Sequence, residues 1–233
     1  MIGIIGGAGV AATNKLLTLI EEQFVSDGAF RDCHHPEMLV WQATKAPSRS
    51  MYLEGRGESF IDDYVQIARK LRDCGATMLC MNCNTAHYAI EEISARSGMP
   101  FINLIEEVAH EIKQRQLKKV GLVASDGCLI GKVYETWVQK CCPWVELIYP
   151  DAEFQKLSTL GICNTKNHHR LGAEESPERP RTIFSRVHQH LLDKGAETVV
   201  MGCTDIGVDY CNEMCIDSLR VLADAIIRET REK

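Results

Sequence analysis

Asp73-Cys74-Gly75-Ala76, followed at the end of an apolar run by Met81-Asn82-Cys83, recurs without a gap 120 positions later as Asp193-Lys194-Gly195-Ala196 followed by Met201-Gly202-Cys203. Each copy reads as a helix end, a glycine cap, a short strand and then a cysteine. Two further pairs flank this one in the same order. Ile2-Gly3-Ile4-Ile5-Gly6-Gly7-Ala8-Gly9 matches Val120-Gly121-Leu122-Val123-Ala124-Ser125-Asp126-Gly127 at an offset of 118. Ile102-Asn103-Leu104-Ile105 matches Ile216-Asp217-Ser218-Leu219 at 114. Three collinear anchors point to an internal duplication, with repeats over about residues 1–113 and 119–230.

Between the anchors, apolar runs alternate with amphipathic stretches. Ile2 to Ile5 reads as a strand, Leu16 to Phe24 as a helix, and Met38 to Val40 with Trp41 as a strand. A helix follows over Phe60 to Cys74, a strand over Thr77 to Met81, a helix from about Ala86 to Ser97, and a strand at Phe101-Ile102. This alternation predicts an α/β fold of two similar Rossmann-like lobes, each a parallel sheet covered by helices. Gly161 to Arg181, rich in Gly, Pro, His and charge, is the loop or lid expected beside the second lobe.

Composition narrows the function. The 233 residues are 45% apolar and 25% charged, as in an ordinary globular chain. Lys and Arg number 26 against 32 Asp and Glu, a net charge of −6, which speaks against nucleic acid as a partner. No apolar run approaches a membrane span and the N-terminus has no leader pattern, so a cytoplasmic protein is expected. Its 11 cysteines, an odd number, then read as thiols.

Cys83 and Cys203 occupy equivalent places at the carboxyl ends of equivalent strands, where open α/β sheets bind ligands. Asn84-Thr85 and Thr204-Asp205 follow them and suit helix N-caps. If the repeats face each other about a pseudo-two-fold axis, both thiols enter one cleft from opposite sides. A helix N-terminus would lower their pKa from about 8.5 and attract a carboxylate. Two facing thiols suit inversion of a carbon stereocentre, one taking a proton as the other gives one, with Asn84, Thr85 and Thr204 as donors to the enolate-like carboxylate.

Competing patterns are weaker. Cys80-x-x-Cys83 with Cys211 and Cys215 does not have the matched spacing of a zinc site, and Cys80 lies inside a strand run rather than at a helix start. Gly7-Ala8-Gly9-Val10-Ala11-Ala12 fits the loose dinucleotide fingerprint, but the second strand does not end in the acid that would hold a ribose. Gly7 and its neighbours instead let the first loop lie close to a small ligand. His87 is assigned to packing or to orienting the cleft.

At Cys83-Asn84-Thr85-Ala86-His87 and Gly202-Cys203-Thr204-Asp205 the chain resembles the aspartate/glutamate racemase family, whose members carry C-N-T-A-H and G-C-T-[ED] there. The likeness extends to Gly6 through Thr13, His35-Pro36, Pro47-Ser48-Arg49 and Asp217-Ser218. It implies a racemase that needs no cofactor and binds no metal, acting on a small acidic amino acid, aspartate before glutamate, with a cleft between two lobes and a homodimeric state. It also implies that the C-terminal segment returns to the first lobe, giving 1–103 plus 209–233 against 104–208. Arg49 would hold the substrate side-chain carboxylate together with Lys166, or Lys156 in its place. The chain departs from the pattern at Ala8 for Met, Val10 for Pro, and Lys45 where Gln is frequent; Lys45 would be an added cation. Racemases of other amino acids or hydantoin, maleate-isomerase-like enzymes, and an idle ligand-binding or thiol-sensing protein are the alternatives.

Overall fold

The computed structural model describes residues 1–231. Its first half runs β1 (Ile2–Gly6), α1 (Val10–Ser26), β2 (Met38–Gln42), α2 (Arg49–Leu53), α3 (Ile61–Asp73), β3 (Met78–Met81), α4 (Ile90–Ser97), β4 (Phe101–Ile102) and α5 (Leu104–Gln114). The second half runs β5 (Lys119–Val123), α6 (Asp126–Ile130), α7 (Val133–Cys141), β6 (Glu146–Ile148), α8 (Ala152–Asn164), α9 (Pro180–Asp193), β7 (Thr198–Met201), β8 (Cys215–Asp217) and α10 (Ser218–Arg231). The strands form two parallel sheets, β2-β1-β3-β4 and β6-β5-β7-β8, of identical order. The duplicated glycines explain part of this identity. Gly75 and Gly195 close α3 and α9 at φ 102° and 94°, a region a side chain would strain, and turn the chain into β3 and β7 at equivalent points.

Alternate residues of each strand divide between cores. Ile2, Ile4, Cys80, Ile102, Val120, Leu122, Val200 and Ile216 face a central core shared by both sheets. Ile5, Leu79 and Met81 face α3 and α4, while Val123, Val199, Met201 and Cys215 face the side that carries α9. The central core is closed by helices that cross between the lobes. α5 follows β4 yet packs on α7, α10 follows β8 yet packs on α1, and α5 and α10 meet each other. The two lobes are thus related by a pseudo-two-fold axis. Leu16, Ile112, Leu219 and Ile226 in this seam are fully buried, and at about 1.5–3 kcal/mol for each such side chain the seam holds the lobes in one body.

The proposed division of the chain needs one correction. Residues 209–217 do not join the first lobe, because β8 hydrogen-bonds to β7 with Val200 opposite Ile216. Only α10 reaches back, onto α1. A parallel edge strand one short connection after β7 satisfies its backbone groups there, as β4 does beside β3. The loop expected over Gly161 to Arg181 is shorter, since α8 continues to Asn164 and Pro180 opens α9. It is tied down by Asn164 Nδ2 donating to the Glu178 carbonyl at 2.7 Å and by Arg179 Nη1 donating to the Gly172 carbonyl at 3.1 Å. Among the described residues, no helix is long and apolar enough to cross a membrane.

Candidate active site

β3 and β7 end at Met81 and Met201, and the chain leaves each by an equivalent bond. The Asn82 N–H donates to the Ile5 carbonyl at 3.0 Å and the Gly202 N–H to the Val123 carbonyl at 2.7 Å. One residue further along, Cys83 and Cys203 line the same cavity of about 360 Å³ between the lobes. Its other walls come from Ala8, Ser48 to Met51, Glu54, Arg56 and Thr85 of the first lobe, and from Ser125, Asp126, Thr159, Ile162, Cys163, Lys166 and Asp205 of the second.

The surroundings of the two sulfurs differ in sign. Beside Cys83 stands Arg49, whose Nη1 donates to the Pro47 carbonyl at 2.8 Å and whose guanidinium carbon lies 6.0 Å from the Tyr64 ring centre. Burial works against the charge of Arg49, but the Cys83 sulfur and the Tyr64 oxygen outweigh it and hold its pKa above the ordinary value. Beside Cys203 stands Asp205, 1% exposed, whose Oδ2 accepts Lys166 Nζ at 2.8 Å and the Cys203 thiol at 3.8 Å. Burial first, and the Asp205 carboxylate second, push the Cys203 thiol well above its usual range, with Lys166 opposing them. Lys166 is likewise held protonated: burial lowers its pKa, and Asp205 and Cys203 more than reverse that.

A pocket between two repeats, bounded by Cys83 and Cys203 and by the cations Arg49, Arg56 and Lys166, is the setting in which the comparisons with known proteins fall. The sequence model of the Asp/Glu/hydantoin racemase family matches residues 2–226. This chain belongs to that family. Among its relatives is the broad specificity amino-acid racemase RacX of Bacillus subtilis, 23% identical over 212 residues that cover 88% of this chain and 86% of RacX. The fold is similar to that of Picrophilus torridus aspartate racemase, with a TM-score of 0.82 at 23% identity over 99% of this chain and 94% of that one. It is also similar to the glutamate racemase of Francisella tularensis solved with D-glutamate, with a TM-score of 0.63 at 14% identity over 99% and 81%.

Within this racemase-family fold, the residues singled out from sequence fall in different places. Arg49, Thr85, Lys166 and both cysteines line the thiol cavity, where Thr85 Oγ1 lies 3.0 Å from Ser125 Oγ. Gly7 lines an adjoining cavity and holds its N–H on Thr13 Oγ1 at 2.9 Å. Asn84 and Thr204 are buried in the framework and are not on the cavity wall. Asn84 Oδ1 accepts the Tyr134 hydroxyl at 2.6 Å and its Nδ2 donates to Ser218 Oγ at 3.0 Å. Thr204 Oγ1 donates to the Asn82 carbonyl at 3.3 Å. Lys45 is exposed and lines neither cavity, although its neighbours Thr44 and Ala46 line the adjoining one.

Two expectations about local chemistry are corrected. The segment after Cys203 is only a 3-10 turn over Ile206–Val208, so no long helix lowers that thiol, and burial raises it instead. The helix expected from Ala86 begins as a 3-10 turn over Thr85–Ala89, with α4 following. His87, in that turn, is 2% exposed and accepts the Leu104 N–H on Nε2 at 3.2 Å, leaving Nδ1 to donate to the Cys83 carbonyl at 2.8 Å. Burial lowers its pKa from 6.5 to about 4, so it stays neutral and fixes the loop that carries Cys83.

Sequence reasoning missed Asp205 as a site residue by treating it only as a cap, and missed Ser125 and Asp126, the duplicates of Gly7 and Ala8 at an offset of 118. Asp126 accepts Gln155 Nε2 at 2.8 Å and Thr159 Oγ1 at 2.9 Å, and so anchors α8 to the cavity floor. The Cys80 thiol is fully buried and burial pushes it up to about 12, which removes it from redox or metal chemistry at neutral pH. Among the described residues, the group with metal-ligand spacing is Glu106, His110 and Cys141, whose donor atoms lie within 4.8 Å of one another. None of the three lines the cleft.

Proposed function

We propose that the protein interconverts the L and D forms of an acidic amino acid, aspartate first and glutamate second, by two-base proton transfer between Cys83 and Cys203 without a cofactor. The observation that carries this reading is that the two thiols, from equivalent strand ends of the two repeats, line one cavity together with Arg49 and Lys166. A substrate Cα between the sulfurs offers its hydrogen to one while the other holds a proton against the opposite face. As one thiolate takes the α-proton, the electron pair of the C–H bond moves into the carboxylate. The opposite thiol then returns a proton to carbon, and the two cysteines exchange protonation states.

Burial and the Asp205 carboxylate favour the protonated form of Cys203, which suits it to the donor role in one of the two directions. The Thr85 and Ser125 hydroxyls face the cavity and take over the donor role for the developing dianion that Asn84 and Thr204 do not fill. Arg49 and Lys166 complement the distal carboxylate and so favour acidic side chains. Eleven thiols suit a reducing, cytoplasmic location, and the homodimer that the family resemblance implies is checked by sedimentation equilibrium.

The test is incubation of each enantiomer of aspartate and glutamate in deuterated water, with α-deuterium uptake followed by NMR and enantiomer content by chiral chromatography. The expected result is deuterium at Cα in step with loss of optical rotation, from either enantiomer. Absence of exchange for all four compounds rejects the reading.

A further inference from the structure

Beyond the thiol cavity lies a second one of about 500 Å³, and the two share Ala8, Ser48, Arg49 and Lys166 as common walls. Arg170, in the 3-10 turn over His168–Leu171, completes the far side. Three cationic side chains line this second cavity and no carboxylate does. Lys166 shares its charge with Asp205. Arg49 and Arg170 form no ion pair among the described residues, and the Nε atom of each is buried without a hydrogen-bond partner. Two guanidinium groups without a carboxylate partner that line one cavity suit an anionic ligand there.

The dimensions indicate what carries that anion. Cavities of ~300–1,000 Å³ take ligands much larger than aspartate. Arg49 and Lys166 line both cavities, so a short side chain that meets them from the thiol side leaves the second cavity free. The junction is walled by Ala8, which is 7% exposed and has no side chain beyond Cβ to close the passage.

We propose that this second cavity is a distal subsite for an α-amino acid whose anionic side chain is longer than that of glutamate, its methylenes passing Ala8 and its terminal carboxylate bridging Arg49 and Arg170. The inference rests on the placement of Cα between the thiols argued above, and extends it to the length of the substrate. A six-carbon acidic amino acid, 2-aminoadipate, is the simplest compound of this class.

Two measurements on the full chain test it separately from the racemase reading. By calorimetry, the six-carbon dicarboxylate adipate should bind at least about tenfold more tightly than succinate, and R170Q should abolish that margin, the scale of one lost charge-assisted contact. By α-deuterium uptake, 2-aminoadipate should exchange with a kcat/KM no lower than that of aspartate, and A8M should lower its exchange roughly tenfold beyond any change seen with aspartate. If aspartate exchanges while 2-aminoadipate does not, or if adipate has no Arg170-dependent margin, the distal subsite is wrong and the racemase stands. If the adipate margin follows Arg170 while no amino acid exchanges, the subsite stands and the racemase reading falls.

Discussion

Lys166 Nζ sits 2.8 Å from Asp205 Oδ2, joining a half-exposed ammonium on the loop after α8 to a buried carboxylate two residues past Cys203. The pair does more than bind a loop. The same Oδ2 accepts the Cys203 thiol, and Oδ1 is buried with no partner, packed where any side chain on Gly9 would collide with it at 1.8 Å. Asp205 thereby couples the cation expected to meet substrate to the sulfur expected to donate a proton.

D205N should therefore lower the pKa of Cys203. Burial would still hold the thiol up, but the carboxylate that adds to it would be gone and the Lys166 charge would act unopposed. The pH profile of Cys203 alkylation by iodoacetamide, read by peptide mass spectrometry, should move downward by about one unit or more. An unchanged profile would show that Asp205 does not set the protonation of this thiol.

Serine in place of either thiol should separate the two half-reactions. C83S and C203S should each reduce racemisation by ~10²–10⁴-fold, the range for loss of a positioned acid or base. Each variant keeps one functional sulfur, so each should still exchange the α-hydrogen of one enantiomer with solvent, and the favoured enantiomer should be opposite in the two. NMR on separate L and D substrates reads this directly. Racemisation at the wild-type rate in either variant would refute the two-base scheme.

The parts of this arrangement that were legible in sequence are those that the duplication repeats. Gly75 and Gly195 take similar positive φ values for the same physical reason, the strands after them have the same alternation, and Cys83 and Cys203 follow as equivalents. What was not legible depends on where side chains turn within a few residues. Asn84 is adjacent to Cys83 and yet points into the framework, because the Tyr134 hydroxyl and Ser218, from elements distant in sequence, claim both ends of its amide. Lys45 lies among residues that line the second cavity but extends to solvent, as a loop position with no period to reveal its face. The assignment of β8 was lost for a related reason. Its helix α10 packs across the seam onto α1, while its backbone pairs with β7, so three residues and the helix after them belong to different lobes.

His87 should make the protein acid-labile in a defined window. Its pKa falls from 6.5 in the unfolded chain to about 4 in the fold because burial disfavours the imidazolium. A depressed folded value means that the associated stability is complete above pH 6.5 and is lost as the pH falls towards 4, amounting to about 3 kcal/mol over that interval. H87Q, which has no proton to take up there, should flatten this slope. Denaturant titrations of both proteins at pH 7 and pH 4 should differ in their pH dependence by about that amount. Parallel losses would mean that other groups govern acid unfolding.

Tyr134 offers the means to test whether Asn84 acts on chemistry only through the framework. In Y134F the Asn84 Oδ1 loses the hydroxyl that donates to it at 2.6 Å and has no water-exposed alternative, as both residues are 1% exposed. An unsatisfied buried acceptor costs about 1–3 kcal/mol, and Tm should fall by ~2–4 °C per kcal/mol for a chain of this size. Because Asn84 immediately follows Cys83, release of its amide should also loosen the sulfur relative to Cα, lowering kcat for racemisation. KM should be preserved, since the cations and hydroxyls on the cavity wall are untouched. A rise in KM at constant kcat would instead put the Asn84 amide in contact with substrate.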